Sequence, residues 1–246
     1  MAQAAQTPWP DQDDLSKRRS GFSASLPASV ARLLVAAFVY FRTFQMPKTL
    51  RPLALLLGLL LCGNSHADQT IVLLRHAEKP AAGLGQISCQ GLNRALALPA
   101  VLLRKFDRPA ALFAPNPGIR KKDAGVPYNY IRPLATIEPT AIRLGMPVNT
   151  DFGLDDLDAL QAAITQPAYR DATVFVAWEH RLAAKLAAQL LAANGADPSL
   201  VPAWHYSDFD SLYVVTLQQQ AGQTRASFRV EQQGLNDQAQ TCPGDK

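Results

Sequence analysis

Histidine and cysteine are scarce in this 246-residue chain, which holds four of the first and three of the second. The cysteines are Cys62, Cys89 and Cys242, and the histidines after position 67 are His76, His180 and His205. Neither Cys89 nor Cys242 has a histidine at metal-ligand spacing, so the sequence offers no zinc site, and neither metal nor other cofactor is expected. Long apolar runs are missing too: 33–41 and 53–62 each fall well short of the roughly twenty residues that a membrane-spanning helix needs. No internal repeat or low-complexity segment is evident. An excess of positive charge is absent from most of the chain. Seven of the 24 Lys and Arg and three of the 20 Asp and Glu lie at or before Ala67, which leaves 17 of each sign beyond it. The pI near 9.0 therefore comes from the leading segment, and a basic nucleic-acid surface loses its main support.

That leading segment has its own pattern. Residues 46–67 begin with Met46-Pro47-Lys48-Thr49-Leu50-Arg51, continue into the apolar run 53–62, and end in Gly63-Asn64-Ser65-His66-Ala67. A basic start, a short apolar middle and small residues at Ser65 and Ala67 are the three parts of a secretory signal, with Asp68 as the first residue after cleavage. The expected location is periplasmic or secreted. Lipid attachment at Cys62 is the lesser reading, because Leu61 stands where a small side chain is required. Residues 1–45 are read as a non-native extension upstream of a start at Met46, with a tandem membrane anchor as the alternative.

Residues 68–246 are long enough for one well-buried domain. Strand-like runs at 71–74, 111–114, 173–177 and 212–217 alternate with helical patterns, which predicts an α/β three-layer sandwich: a mostly parallel central sheet with helices on both faces. Residues 226–230 read as an edge strand joined to 212–217 by a hairpin. Leu182, Leu186 and Leu190 form one helical stripe that stops at Asn194-Gly195. Pro99 is expected to kink or divide a helix over 92–106. The Pro/Gly-bearing stretch 115–130 reads as a loop. Its basic cluster, Arg120-Lys121-Lys122, is read as solvated, with a contact to a second anionic group on a substrate as the sharper alternative. Export makes a Cys89–Cys242 disulfide permissible; a buried Cys89 and a loose tail at Cys242 is the equal alternative. His205, between Trp204 and Tyr206, reads as a packed or loop residue.

The run 71–74 ends in Arg75-His76-Ala77-Glu78, and the run 173–178 ends in Glu179-His180. Both histidines thus stand at carboxyl ends of buried strands, the edge where open α/β sheets bind ligands. Between them Arg132 precedes Pro133, which suits the first helical position and places the arginine where a helix opens. Two guanidiniums and two imidazoles are expected around one cleft. Planar, permanently charged guanidiniums grip anionic oxygens bidentately, and a neutral imidazole is available as a nucleophile.

Together, Arg75-His76-Ala77, Gly91-Leu92-Asn93-Arg94-Ala95, Arg132 and His180 resemble the histidine phosphatase superfamily, over a stretch from Asp68 to about Val230. Ala77 stands where Gly is commoner. The resemblance implies hydrolysis of a phosphorylated small molecule by a phosphatase that needs no metal. His76 would carry the phosphoryl group, Arg75 and Arg132 would bind it, and His180 would donate hydrogen bonds to it. Glu179 is the nearest candidate for the acid that protonates the leaving group, with Asp151, Asp155 and Glu138 left open. A phosphomutase of the same superfamily and a non-catalytic phosphate-binding or envelope interaction module are the other readings.

Overall fold

The computed structural model describes residues 68–220 and 223–245. The expectations for residues 1–45, for the signal at 46–67 and for Cys62 lie outside the described residues. Strand β1 (Asp68–Arg75) leads to α1 (Cys89–Lys105) and β2 (Ala111–Phe113). A hairpin of β3 (Arg120–Asp123) and β4 (Val126–Asn129) follows, then α2 (Arg132–Leu144), β5 (Val148–Asn149), α3 (Leu157–Ile164), β6 (Thr173–Trp178), α4 (His180–Ala193), β7 (Ser211–Gln220) and β8 (Gln223–Gln232).

The main sheet has six strands in the order β5-β2-β6-β1-β7-β8. β5, β2, β6 and β1 pair in parallel, while β7 runs antiparallel to both β1 and β8. The α/β class read from the alternating pattern is the fold observed. Successive strand side chains point to opposite faces, so the unbroken apolar runs of β1 and β6 feed two cores at once. Ile71, Leu73, Val174, Val176 and Trp178 pack with Leu157 and Leu160 of α3 and Leu186 and Leu190 of α4. On the other face Val72, Leu74, Phe175 and Ala177 pack with Leu98 and Leu102 of α1 and Ile137 and Ala141 of α2. Each fully buried aliphatic or aromatic side chain contributes roughly 1.5–3 kcal/mol. That is why two short central strands organise the whole domain.

Pro99 does not divide its helix: α1 runs uninterrupted for 17 residues, with Pro99 buried inside it. The lost hydrogen bond costs about 3 kcal/mol, and the flanking buried Ala95, Leu98, Val101 and Leu102 offset it. The larger departure lies in 115–130, read as a loop. Most of it forms the β3–β4 hairpin, which pairs Arg120 with Asn129 and Asp123 with Val126. Its two-residue turn, Ala124-Gly125, has φ of 48° and 85°, the doubly positive geometry that matches the twist of a hairpin. Period-two alternation then separates the basic cluster: Arg120 and Lys122 are exposed, whereas Lys121 is half-buried and Asp123 buried.

Cys89 and Cys242 form a disulfide across 153 residues. Cys89 is the first residue of α1, behind the Ser88 cap. The tail it tethers also accepts two hydrogen bonds from Asn93 Nδ2, to the carbonyls of Ala239 and Thr241. Closing so long a loop removes much entropy from the unfolded chain. Reduction is expected to lower the unfolding free energy by about 2–5 kcal/mol, measured as the urea midpoint with and without a reductant. An unchanged midpoint would mean that the polar contacts hold the tail by themselves.

Candidate active site

β1 and β6 are neighbours in register, with Arg75 opposite Trp178. The backbone N–H of His76 extends the ladder by donating to the Trp178 carbonyl at 3.1 Å. His76 and the Glu179-His180 pair therefore leave the sheet side by side at its carboxyl edge. The first turn of α2 locks onto the same edge: Ala77 N–H donates to Thr136 Oγ1 at 2.8 Å, and that hydroxyl donates to the Arg132 carbonyl at 2.8 Å. Behind the loop, Gly91 of α1 lies so close that a Cβ there would sit 2.4 Å from the Glu78 carbonyl oxygen. Only glycine permits that approach.

His76 is buried, with Nδ1 2.7 Å from the Ala77 carbonyl oxygen. A carbonyl only accepts, so Nδ1 carries the proton and Nε2 keeps its lone pair. Burial pushes the imidazole down to about 3, reinforced by the charges of Arg75 and Arg132 against the Ala77 carbonyl and Glu179. The ring is thus neutral at physiological pH. Tyr130 meets it edge-on at 6.0 Å between centroids, and Phe209 flanks it at 6.1 Å.

The two arginines are held differently. Arg75 donates from one terminal nitrogen to the carbonyls of Tyr206 at 2.5 Å and Asp208 at 3.0 Å, and its guanidinium carbon lies 3.8 Å above the Phe209 ring. Its buried Nε has no protein partner. Trp204 steadies this loop by donating to the Asp208 carbonyl at 3.1 Å while stacking on Tyr213. His205 is exposed within the same loop and bonds Ser207 locally. Arg132 forms a buried ion pair with Asp123 and donates from Nε to the Gln86 carbonyl at 3.2 Å. Burial pushes the Asp123 carboxyl up, but the bonds from Arg132 and the Gly85 N–H outweigh it and hold it below the ordinary range.

Glu179 caps α4. One carboxylate oxygen accepts from the N–H groups of Arg181 at 3.0 Å and Leu182 at 3.1 Å. The other lies 3.0 Å from His180 Nδ1, 3.3 Å from Arg181 Nε and 3.9 Å from Lys121 Nζ. The His180 contact is close but out of line for a full hydrogen bond. Burial raises the Glu179 carboxyl, yet His180, Lys121 and the Leu182 N–H together hold it far below the usual carboxylate range. A carboxylate so held is ionised at neutral pH. Glu179, the nearest candidate for the acid, thus stands as a carboxylate that caps the helix and lies against His180.

The remaining carboxylates considered from sequence lie elsewhere or exposed. Glu138 lines an open, mainly apolar cavity of about 490 Å³ with Pro117, Gly118, Ile131 and Leu134, which none of the two histidines and two arginines borders. Asp151 is tied to Asn149 on the surface. Asp155 is exposed, though its charge acts on Lys121. Arg75, His76, Arg132 and Glu179 are brought into one electrostatic neighbourhood, with His180 against Glu179. Sequence reasoning missed Asp123, Tyr130 and Phe209, and it did not separate the half-buried Lys121 from its exposed neighbours Arg120 and Lys122. The Ala124-Gly125 pair was the available signal for a hairpin that would turn Lys121 and Asp123 inward.

Among the described residues no group of His, Cys, Asp and Glu is arranged to hold a metal ion. No protein-family model matches the chain, and no curated protein does. Solved structures do. A structure described as mycobacterial hydrolase 2 aligns at 16% identity with a TM-score of 0.49, covering 67% of this chain and 91% of its own. The putative phosphohistidine phosphatase SixA from Nakamurella multipartitia aligns at 18% identity and a TM-score of 0.44, covering 67% and 95%. The mycobacterial glucosyl-3-phosphoglycerate phosphatase in complex with inorganic phosphate aligns at 16% and 0.46, covering 70% and 99%. Each of these is a similarity, at 16–18% identity, to a solved structure described as a hydrolase or a phosphatase.

Proposed function

We propose that this protein is an exported phosphatase that hydrolyses phosphate monoesters through a phosphohistidine on His76, without a metal. The observation that carries the reading is the state of His76: a neutral imidazole with Nδ1 fixed on the Ala77 carbonyl, lying in the field of two guanidiniums at a sheet's carboxyl edge. Phosphoryl transfer demands positioning and charge stabilisation more than covalent assistance. Arg75, whose buried Nε is unpartnered, and Arg132 supply the charge, and His180 at the opening turn of α4 donates to the phosphoryl oxygens. Nε2 attacks phosphorus and the alcohol departs; water then cleaves the N–P bond. Export is supported by the signal-like pattern of 46–67 and by the Cys89–Cys242 disulfide, since such bonds persist in oxidising compartments.

Rapid acid-free quenching during turnover of an aryl phosphate tests this reading. The expected result is phosphate on the protein that is stable to base, labile to acid, and located on His76 by peptide mapping. A second reading, phosphate binding without turnover, draws on the engagement of Arg132 by Asp123 and of Arg75 by loop carbonyls. Thermal stabilisation by inorganic phosphate with no hydrolysis of any ester would favour it.

A further inference from the structure

An alkoxide leaving group needs a proton as it departs, and the carboxyl groups at this end of the sheet are each engaged by a cation. Asp123 is ion-paired to Arg132 and Glu179 is ionised at the head of α4. Glu78 is gripped by Arg94 through both of its oxygens. Lys121 is a half-buried group on the same side that does carry protons. Strand β3 places Lys121 with its side chain along Tyr130, Nζ 4.9 Å from the ring centroid and 3.9 Å from Glu179 Oε1. That carboxylate contact is long, and the same oxygen already serves His180 and Arg181. An ammonium has three N–H donors, so Lys121 keeps donors for an incoming oxygen. Burial, with the charges of Arg181 and Arg132, also lowers its pKa, which eases proton release.

We propose that Lys121 is the proton donor to the leaving-group oxygen. The inference rests on the phosphohistidine reading above. In the first step His76 Nε2 bonds to phosphorus and the ester P–O bond breaks. The electron pair stays on oxygen, which takes a proton from Lys121 Nζ. In the second step the oxygen of water bonds to phosphorus and the N–P bond breaks, its pair returning to Nε2. The neutral Lys121 amine accepts the proton that water loses. Ester and water become alcohol and phosphate, and the ammonium is restored.

Two substrates separate this role from simple charge. Dinitrophenolate leaves without a proton, whereas an alkoxide does not. The variants Lys121→Met and Lys121→Arg, made in the full chain, are expected to lose on the order of 10²-fold or more in kcat on an alkyl phosphate, and only a few-fold on 2,4-dinitrophenyl phosphate. Retained turnover of the second substrate also reports that each variant is folded. Arginine keeps the charge but does not release its proton, so recovery of alkyl phosphatase activity in Lys121→Arg would overturn the proposal. Equal losses on both substrates would overturn it in favour of phosphoryl binding, and the selective loss appearing in Asp155→Asn instead would move the role to Asp155. Turnover of the dinitrophenyl ester that survives His76→Ala, or is absent from the wild type, brings down the phosphohistidine reading itself. That is a different outcome from a Lys121 variant that matches the wild type on both esters, which sinks this inference alone.

Discussion

On the proposed phosphohistidine route, replacing His76 with alanine is expected to lower kcat/KM on an aryl phosphate by about 10³-fold or more, because loss of the nucleophile removes that route. This equals at least roughly 4 kcal/mol of transition-state stabilisation. The same substitution tests the protonation state. The folded imidazole titrates near 3, below the ordinary 6.5 of an unfolded histidine. The unfolded chain therefore binds the proton first as pH falls. The stability contributed by a neutral His76 is full above about pH 6.5 and is lost progressively toward pH 3. Between pH 7.5 and 5 the wild type should lose about 2 kcal/mol more than His76→Ala, read from urea midpoints at the two pH values. Parallel losses would show that the imidazole is not held neutral. Catalytically, no acid limb near 6.5 should appear in kcat, since the nucleophile stays unprotonated well below it.

The second large effect belongs to Arg94, which holds the loop that follows His76 through Glu78. Its side chain is 1% exposed and bonds Glu78, Asp210, Gln233 and Asn236. These partners come from the loop after β1, the segment before β7, and the tail. Burial would lower the Arg94 pKa, but Glu78 and Asp210 together raise it. Asp210 in turn accepts from the N–H groups of Gly234 and Leu235, which fasten the tail. Arg94→Ala leaves one buried carboxylate and one nearly buried carboxylate without their cation, so a destabilisation of about 3–5 kcal/mol is expected. Denaturant unfolding measures it, and kcat should fall alongside, because Glu78 immediately follows Ala77. A loss below 1 kcal/mol, about what a surface ion pair contributes, would mean that this cluster is no hub. Arg94→Lys is expected to recover little, since an ammonium lacks the fork that bridges four partners.

Much of the fold was legible because burial leaves a mark on composition. Ile71-Val72-Leu73-Leu74 and Thr173-Val174-Phe175-Val176-Ala177-Trp178 are apolar on both faces, which only a strand covered on both sides requires. Pro133 announced the opening of α2, and Asn194-Gly195 the end of α4. The division at Pro99 failed because packing is a tertiary sum. A local rule counts one lost hydrogen bond, while the buried face of α1 weighs every contact along 17 residues. The hairpin was missed for a related reason. Arg-Lys-Lys-Asp carries no apolar alternation, and its order comes from Lys121 lying on Tyr130 and Asp123 pairing with Arg132, partners nine positions away.

By itself the sequence determined the strand runs, the two histidines at their ends, the arginine opening α2 and the α/β class, since periodicity and element termini are written locally. Only the tertiary structure decided which charges meet. Glu179 became a cap because the first N–H groups of α4 lie within reach of its carboxylate, and Lys121 came to lie on the Tyr130 ring because strand alternation turned it inward. Cys89 and Cys242 were joined because the tail folds back across α1. Protonation states and pairings depend on distances between residues remote in the chain. Such distances exist only once the two cores have closed.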